Sequence, residues 1–136
     1  MEHILGFFIN PVAGLGGRAA LKGSDGAQIV NRALALGIAP QAANRAKAAL
    51  WALLPYKESL RFLTYGGAMG ADILREMGFA YTVMGEPANP STAQDTIAAA
   101  RALRAGGAEL LLFAGGDGTA RDVYEALGQS LPVLGI

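Results

Sequence analysis

The sequence of 136 residues has no cysteine and a single histidine, His3. Without cysteine the chain forms no disulfide bond, carries no thiolate nucleophile and builds no zinc site from cysteine and histidine. An excess of one charge is lacking as well, because 11 basic and 11 acidic residues cancel and no run of five basic residues occurs. The sequence therefore argues against a nucleic-acid partner.

Long apolar runs are also missing. No stretch reaches the roughly 18 apolar residues that a membrane-spanning helix needs. The first residues, MEHILGFFINPVAG, have no positively charged segment and only a short apolar run, unlike a signal peptide. We therefore expect a soluble, cytoplasmic protein with no membrane partner. Hydrophobic residues make up 52% of the chain and charged residues 16%, which is typical of one packed globular domain.

Glycine is the residue type in excess, with 19 copies among 136 residues against a usual share of about 7%. Short apolar runs and helix-like segments alternate between the glycine-rich stretches. Such nearly continuous apolar strands alternating with helices predict an α/β fold, a three-layer, open, mostly parallel sheet with helices on both faces. The pattern predicts strands at 4–9, 60–65, 81–85, 109–115 and 131–136, and helices at 27–36, 41–54, 71–78, 93–105 and 120–127.

Local patterns predict how some of these helices pack and begin. Trp51 lies among apolar residues at helical spacing, so we expect it at a packed edge of its helix. Thr92-x-x-Asp95 and Thr119-x-x-Asp122 both match the helix-start pattern [ST]-x-x-[DE], in which the threonine caps the helix.

Three glycine-rich loops, at 10–17, 66–70 and 115–119, each follow a predicted strand directly. The loops that follow parallel strands lie together at the carboxyl edge of the sheet, where open α/β sheets bind ligands. Glycine permits close approach of the backbone, and free N–H groups beside a helix start attract phosphate. The three loops predict a phosphorylated ligand. The P-loop pattern G-x-x-x-x-G-K-[ST] is absent, and no intact G-x-G-x-x-G follows the first strand.

Asp117 stands between Gly116 and Gly118 in the third loop. If Thr119 and Asp122 cap the helix that follows, Asp117 is not needed for capping, and its carboxylate can face the cleft. An aspartate that only stabilises its own turn is equally consistent with the residues. The residue pattern by itself leaves both interpretations open.

The segment Gly115-Gly116-Asp117-Gly118-Thr119 resembles the signature of the superfamily of NAD kinases, diacylglycerol kinases and sphingosine kinases. Asn10-Pro11-x-x-Gly14, after the first strand, is similar to a second motif of that group. NPVAGLGGRAALKGSDG together with GGDGTARDV resembles in particular the ATP-NAD kinase-like branch that includes acetoin-catabolism X proteins. Two positions depart from related patterns: Arg121-Asp122 stand where lipid kinases carry Asn-Glu, and Ala120-Arg121 where NAD kinases carry large apolar residues.

The resemblance implies a Rossmann-like N-terminal domain and roles for matching residues. Asp117 would act as the general base toward an acceptor hydroxyl or help to hold Mg²⁺. With no cysteine and a single histidine near the N-terminus, an aspartate is the natural candidate for that base. Residues expected to bind the nucleotide or its phosphates are Asn10, Pro11, Gly14, Gly66, Gly67, Gly115, Gly116, Gly118 and Thr119.

The implied activity is transfer of phosphate from ATP or polyphosphate to the 2′-hydroxyl of NAD, with Mg²⁺, to give NADP. Residues 1–136 would be the nucleotide-binding N-terminal domain, and a β-rich C-terminal domain would lie outside this chain. We therefore expect the chain to be inactive alone and the full-length protein to be a homo-oligomer. Two alternatives are a non-catalytic nucleotide-binding or regulatory module, like the acetoin-linked proteins, and a kinase of another hydroxyl acceptor such as a lipid. The broken dinucleotide fingerprint disfavours a nicotinamide-dependent oxidoreductase.

Overall fold

The computed structural model describes residues 2–13 and 41–136. The predicted helix at 27–36 and the predicted ligand residue Gly14 lie outside the described residues. Within the described ranges, no helix is long and apolar enough to cross a membrane.

Five strands form one sheet in the order β3-β2-β1-β4-β5, and every neighbouring pair is parallel. The prediction of an α/β fold with a parallel sheet is therefore confirmed. The strands are β1 (His3–Ile9), β2 (Leu60–Thr64), β3 (Ala80–Val83), β4 (Leu110–Ala114) and β5 (Val133–Gly135).

Four α-helices, labelled in chain order, connect the described strands. The helix predicted at 41–54 ends at Leu53 and continues as a 3₁₀ helix, Leu54–Ser59, where Pro55 lacks the N–H that would continue the α-helical hydrogen bonds. A second 3₁₀ turn, Gly67–Met69, follows β2. The α-helices are α1 (Ala42–Leu53), α2 (Ala71–Met77), α3 (Ala93–Ala105) and α4 (Asp117–Leu127).

Each face of the sheet is covered by a separate apolar core. Phe7 and Phe8 are neighbours in β1 and point to opposite faces, yet both are fully buried. Phe7 packs with Leu50 of α1 and Leu74 of α2, whereas the core around Phe8 is completed by α3 and α4. Burial on both faces explains why the strands are continuously apolar and confirms the three layers.

The prediction for Trp51 is wrong. The spacing correctly places Ala46 and Leu50 of α1 in the core, but Trp51 is 71% exposed. It follows Leu50 by one residue, which turns it about 100° around the helix axis and away from the sheet.

The capping box predicted at Thr92 and Asp95 is confirmed at the start of α3. The backbone N–H of Asp95 donates to the Thr92 hydroxyl oxygen at 3.4 Å, and the backbone N–H of Thr92 donates to the Asp95 carboxylate at 2.8 Å. Helix α3 ends at Ala105 and is followed by the pair Gly106-Gly107, which is typical of a helix end.

Candidate functional site

Asn10, which begins the first glycine-rich loop, meets the third glycine-rich loop at the middle of the sheet. β1 and β4 are adjacent strands. The strand that follows β1 lies on one side of this pair and the strand that follows β4 lies on the other, so the carboxyl ends of β1 and β4 form the topological switch point of the sheet. The N–H of Asn10 donates to the Ala114 carbonyl at 2.8 Å. The Asn10 side-chain Nδ2 donates to Oγ1 of Thr119 at 3.0 Å. The structure thus brings the Asn-Pro motif and the Gly-Gly-Asp-Gly-Thr motif into direct contact.

Asn10 uses both ends of its side chain within the protein. Its Oδ1 accepts a hydrogen bond from the N–H of Val12 at 3.2 Å, which closes a turn that contains Pro11. Because Nδ2 is engaged by Thr119, the half-buried amide links the loop after β1 to helix α4. In this arrangement Asn10 fixes the relative position of the two motifs.

The predicted cap at Thr119 and Asp122 is wrong. Helix α4 begins at Asp117, with Gly116 as its N-cap and no side-chain capping bond. Thr119 is the third residue of the helix, is 3% exposed, and directs its hydroxyl to Asn10. A Cβ at Gly115 would clash with the Thr119 side chain, so the tight packing of these residues requires glycine at 115. The sequence pattern failed because a contact distant in sequence takes the threonine hydroxyl that a cap would use.

Gly116 and Gly118 border open space. A Cβ added at either residue meets no atom of the described residues within 4 Å. Neither residue is among the glycines with positive φ, and Gly116 has φ −109°. Within the described part of the chain, neither packing nor backbone conformation requires glycine at these two positions. Glycine at these positions leaves room for close approach of another group to the backbone.

Asp117 is exposed and makes no hydrogen bond or ion pair with the described residues. Around it, the N–H groups of residues 116–119 donate to no acceptor in the described ranges, and the first helical bond runs from the Ala120 N–H to the Gly116 carbonyl at 3.0 Å. These N–H groups and the helix dipole favour negative charge, whether a bound phosphate or the Asp117 carboxylate itself.

Arg45 is a site residue that the sequence analysis did not identify. It lies on α1, and its guanidinium donates from Nη2 to the Gly115 carbonyl at 3.0 Å and from Nε to the Ile136 carbonyl at 3.3 Å. A positive charge therefore lies against the third loop. The sequence carries no signal for this contact, because an exposed arginine on a helix is ordinary and only the packing of α1 beside β4 brings it to the loop.

The second glycine-rich loop lies next to the first. Gly67 has φ +59°, a left-handed conformation that favours glycine. Gly66 lies against the carboxyl group of Glu86, and a Cβ there would clash with it. This loop and the segment after β3 enclose a pocket of about 480 Å³ with the turn after β1. The pocket is lined by Pro11, Val12, Gly67, Ala68, Met69, Asp72 and residues 86–91.

Two carboxylates give the pocket its charge. Asp72 is paired with Arg75 at 3.3 Å, whereas Glu86 is exposed and has no hydrogen-bond or ion-pair partner among the described residues. The pocket is otherwise bordered mainly by small apolar and proline residues, so it suits an uncharged group with hydroxyl or amino donors better than an anion.

The carboxylates of the described residues fit Mg²⁺ only if substrate phosphates and waters supply the other ligands. No group of three or more His, Cys, Asp or Glu side chains in the described ranges is arranged to hold a metal ion. Mg²⁺ commonly binds through one or two carboxylates together with substrate phosphates and waters. The single exposed carboxylate of Asp117, next to N–H groups that favour phosphate, is compatible with that mode.

The sequence model of the ATP-NAD kinase N-terminal domain matches residues 5–136, which is nearly the whole chain. The chain belongs to this family. The prediction made from the Gly-Gly-Asp-Gly-Thr and Asn-Pro motifs is therefore confirmed. Comparisons with curated proteins and with solved structures gave no match. Membership of the ATP-NAD kinase N-terminal domain family supports a kinase domain that acts on a small nucleotide, and it leaves the acceptor to be argued from the site.

Proposed function

We propose that this chain is the nucleotide-binding domain of an enzyme that transfers a phosphoryl group from ATP, or from polyphosphate, to the 2′-hydroxyl of NAD. The observation that carries the proposal is the loop at 115–119. Gly116 and Gly118 border open space, the N–H groups of residues 116–119 are free among the described residues, and the Asp117 carboxylate is exposed, all at the switch point of a domain of the ATP-NAD kinase family.

The phosphates of the donor would bind at the start of α4. Backbone N–H groups of residues 116–119 stabilise negative charge without desolvating a side chain, and the helix dipole adds to them. The absence of Cβ atoms at Gly116 and Gly118 lets phosphate oxygens reach these N–H groups. Phosphoryl transfer requires mainly positioning and charge neutralisation, which this loop can supply.

The nucleoside part of the donor would occupy the 480 Å³ pocket. Glu86 and Asp72 repel phosphate, so they favour an orientation in which the phosphates lie toward α4 and the sugar and base lie in the pocket. Glu86 can accept hydrogen bonds from ribose hydroxyl groups. Pro11 and Val12 line the pocket and follow Asn10, which contacts Thr119, so the two subsites share one edge of the sheet.

Asp117 would accept the proton of the acceptor hydroxyl as that oxygen attacks the transferred phosphorus. A carboxylate at this position also suits Mg²⁺, which would neutralise phosphate charge when bound. Both roles need an exposed carboxylate beside the phosphate site, and Asp117 meets this condition.

The test compares Asp117→Asn with Glu125→Gln, an exposed carboxylate farther along the same helix, in the full-length protein. We expect Asp117→Asn to lower kcat for NADP formation by about 10²- to 10⁴-fold, because a general base contributes that much, while the affinity for ATP stays within about threefold. Glu125→Gln should leave both quantities unchanged. An Asp117→Asn enzyme that retains wild-type kcat would refute the assignment.

A non-catalytic nucleotide-binding module is the second candidate. It is favoured by one observation: no side chain in the described ranges hydrogen-bonds to Asp117 or orients it, whereas a catalytic base is commonly held by a partner. To distinguish the two candidates, the full-length protein is incubated with ATP and one acceptor at a time: NAD, a diacylglycerol or a sugar. Binding of ATP without transfer to any acceptor supports the module, and transfer to NAD supports the kinase.

A further inference from the structure

The Arg45 guanidinium donates to the carbonyl groups of Gly115, which follows β4, and of Ile136, which follows β5. Planar N–H donors in a fixed fork allow arginine to bridge two acceptors, which the single ammonium group of lysine does less well. Arg45 therefore links α1 to the first residue of the Gly-Gly-Asp-Gly-Thr motif.

The Gly115 carbonyl belongs to the same peptide group as the N–H of Gly116. A trans peptide is planar, and its C=O and N–H point in opposite directions. Fixing the carbonyl toward Arg45 consequently fixes the Gly116 N–H toward the other side. That N–H has no acceptor among the described residues, because Gly116 is the N-cap of α4.

The Gly115–Gly116 peptide is the part of the motif that can most easily flip and reverse the directions of its C=O and N–H groups. It lies between two glycines, whose backbones have the widest conformational freedom, and Gly116 borders open space. The other end of the motif is held by the helix and by the hydrogen bond between Asn10 and Thr119. Among the described residues, Arg45 is the side chain that donates to the Gly115 carbonyl.

We propose that Arg45 is a positioning residue that holds the Gly115–Gly116 peptide with its N–H directed at the donor phosphate, a role that rests on the phosphoryl transfer proposed for this loop. The role is geometric. A positive charge alone at this position does not orient the peptide, so lysine should replace arginine incompletely.

Lys47 provides a matched control. It lies two residues from Arg45 on α1, is also exposed and cationic, and pairs with Glu76 of α2 at 3.5 Å without contacting the loop. Loss of Lys47 removes one charge and one surface contact from the same helix. Arg45→Met and Lys47→Met therefore differ in the backbone contacts that Arg45 makes with Gly115 and Ile136.

The kinetic test uses the full-length protein and measures kcat, KM for ATP and the thermal midpoint. Arg45→Met should lower kcat about 10- to 100-fold, the order that a misplaced transition-state donor costs, with KM changed less. Arg45→Lys should recover only part of kcat, and Lys47→Met should stay within about twofold of wild type. Full recovery by Arg45→Lys shows that the planar guanidinium is not needed and overturns the proposal, as does equal behaviour of the two methionine variants. If Arg45→Met does not fold, Arg45→Ala, which also lacks a donor, takes its place.

An NMR measurement tests the peptide orientation without relying on activity. In wild type and in Lys47→Met, ATP should shift the Gly116 amide resonance strongly. In Arg45→Met the resonance of the free protein should move or double, and its response to ATP should fall. An unchanged Gly116 resonance overturns the proposal even if kcat falls. If wild-type protein transfers no phosphate, the proposed function fails, and the NMR result with ATP still decides the role of Arg45.

Discussion

At the scale of single residues, two glycines three positions apart serve different ends. Gly115 is required by the fold, because a Cβ there would meet the buried Thr119 side chain. Gly118 borders open space inside the first turn of α4, where glycine is less favourable than alanine. Under the proposed function, this glycine lets the donor phosphates approach the backbone of the first helical turn.

The two glycines should respond to alanine with opposite signs. Gly118→Ala should raise the free energy of unfolding by roughly 0.5 kcal/mol through helix propensity, while it raises KM for ATP because the methyl group obstructs the phosphates. Gly115→Ala should lower the free energy of unfolding by about 1–3 kcal/mol through overpacking. Urea denaturation and ATP kinetics measure these effects. A destabilised Gly118→Ala protein with unchanged KM would contradict the assignment of Gly118 to the ligand.

At the scale of elements, β1 and α4 are joined by the hydrogen bond between Asn10 and Thr119. This hydrogen bond also explains why the capping pattern at Thr92 was predicted correctly and the capping pattern at Thr119 was not. Thr92 and Asp95 are three positions apart in sequence, so their capping box needs only local geometry. Thr119 is taken by Asn10, 109 residues earlier in the chain, and no local pattern reports such a partner. The Arg45 contact with Gly115 escaped prediction for the same reason.

A double-mutant cycle measures the bond between these elements. Asn10→Ala and Thr119→Val should each destabilise the protein, and their coupling energy should be about 1 kcal/mol, the usual net contribution of one hydrogen bond. Thr119→Ser keeps the hydroxyl group and serves as the control. Strict additivity of the two substitutions in denaturant unfolding would mean that the bond does not contribute to the stability of the folded protein.

At the scale of the whole molecule, the two edges of the sheet have different roles. The glycine loops and Asp117 lie at the carboxyl edge, as the sequence predicted from the position of each loop after a strand. The amino edge carries a contact of the Glu109 carboxylate that the sequence did not predict. The Glu109 carboxylate accepts a hydrogen bond from the Ile4 N–H at 2.7 Å and lies 3.2 Å from His3. The partners come from β1 and the start of β4, so only the strand order brings them together.

The Glu109 contact predicts a pH dependence of stability. The backbone hydrogen bond from Ile4, followed by the contact with His3, lowers the pKa of Glu109 below its usual 4.5. A depressed pKa in the folded state stabilises the protein above the unfolded pKa, and that stabilisation is lost as the pH falls through the folded pKa. Glu109→Gln should therefore weaken the loss of stability on acidification below pH 4.5. Denaturant midpoints measured near neutral pH and in acid test this prediction. Glu58→Gln, which changes an exposed carboxylate, is the control. An identical acid response of wild type and Glu109→Gln would contradict the prediction.

The central claim is that the carboxyl edge of the sheet binds a nucleotide with its phosphates at the start of α4. It is tested most directly by amide NMR of the full-length protein during titration with ATP. We expect the largest amide shifts at residues 116–119 and at the non-proline pocket residues Glu86, Ala88, Asn89 and Ser91, and none at Glu109 on the amino edge. Shifts confined to the amino edge, or no saturable shifts at residues 116–119, would contradict the account.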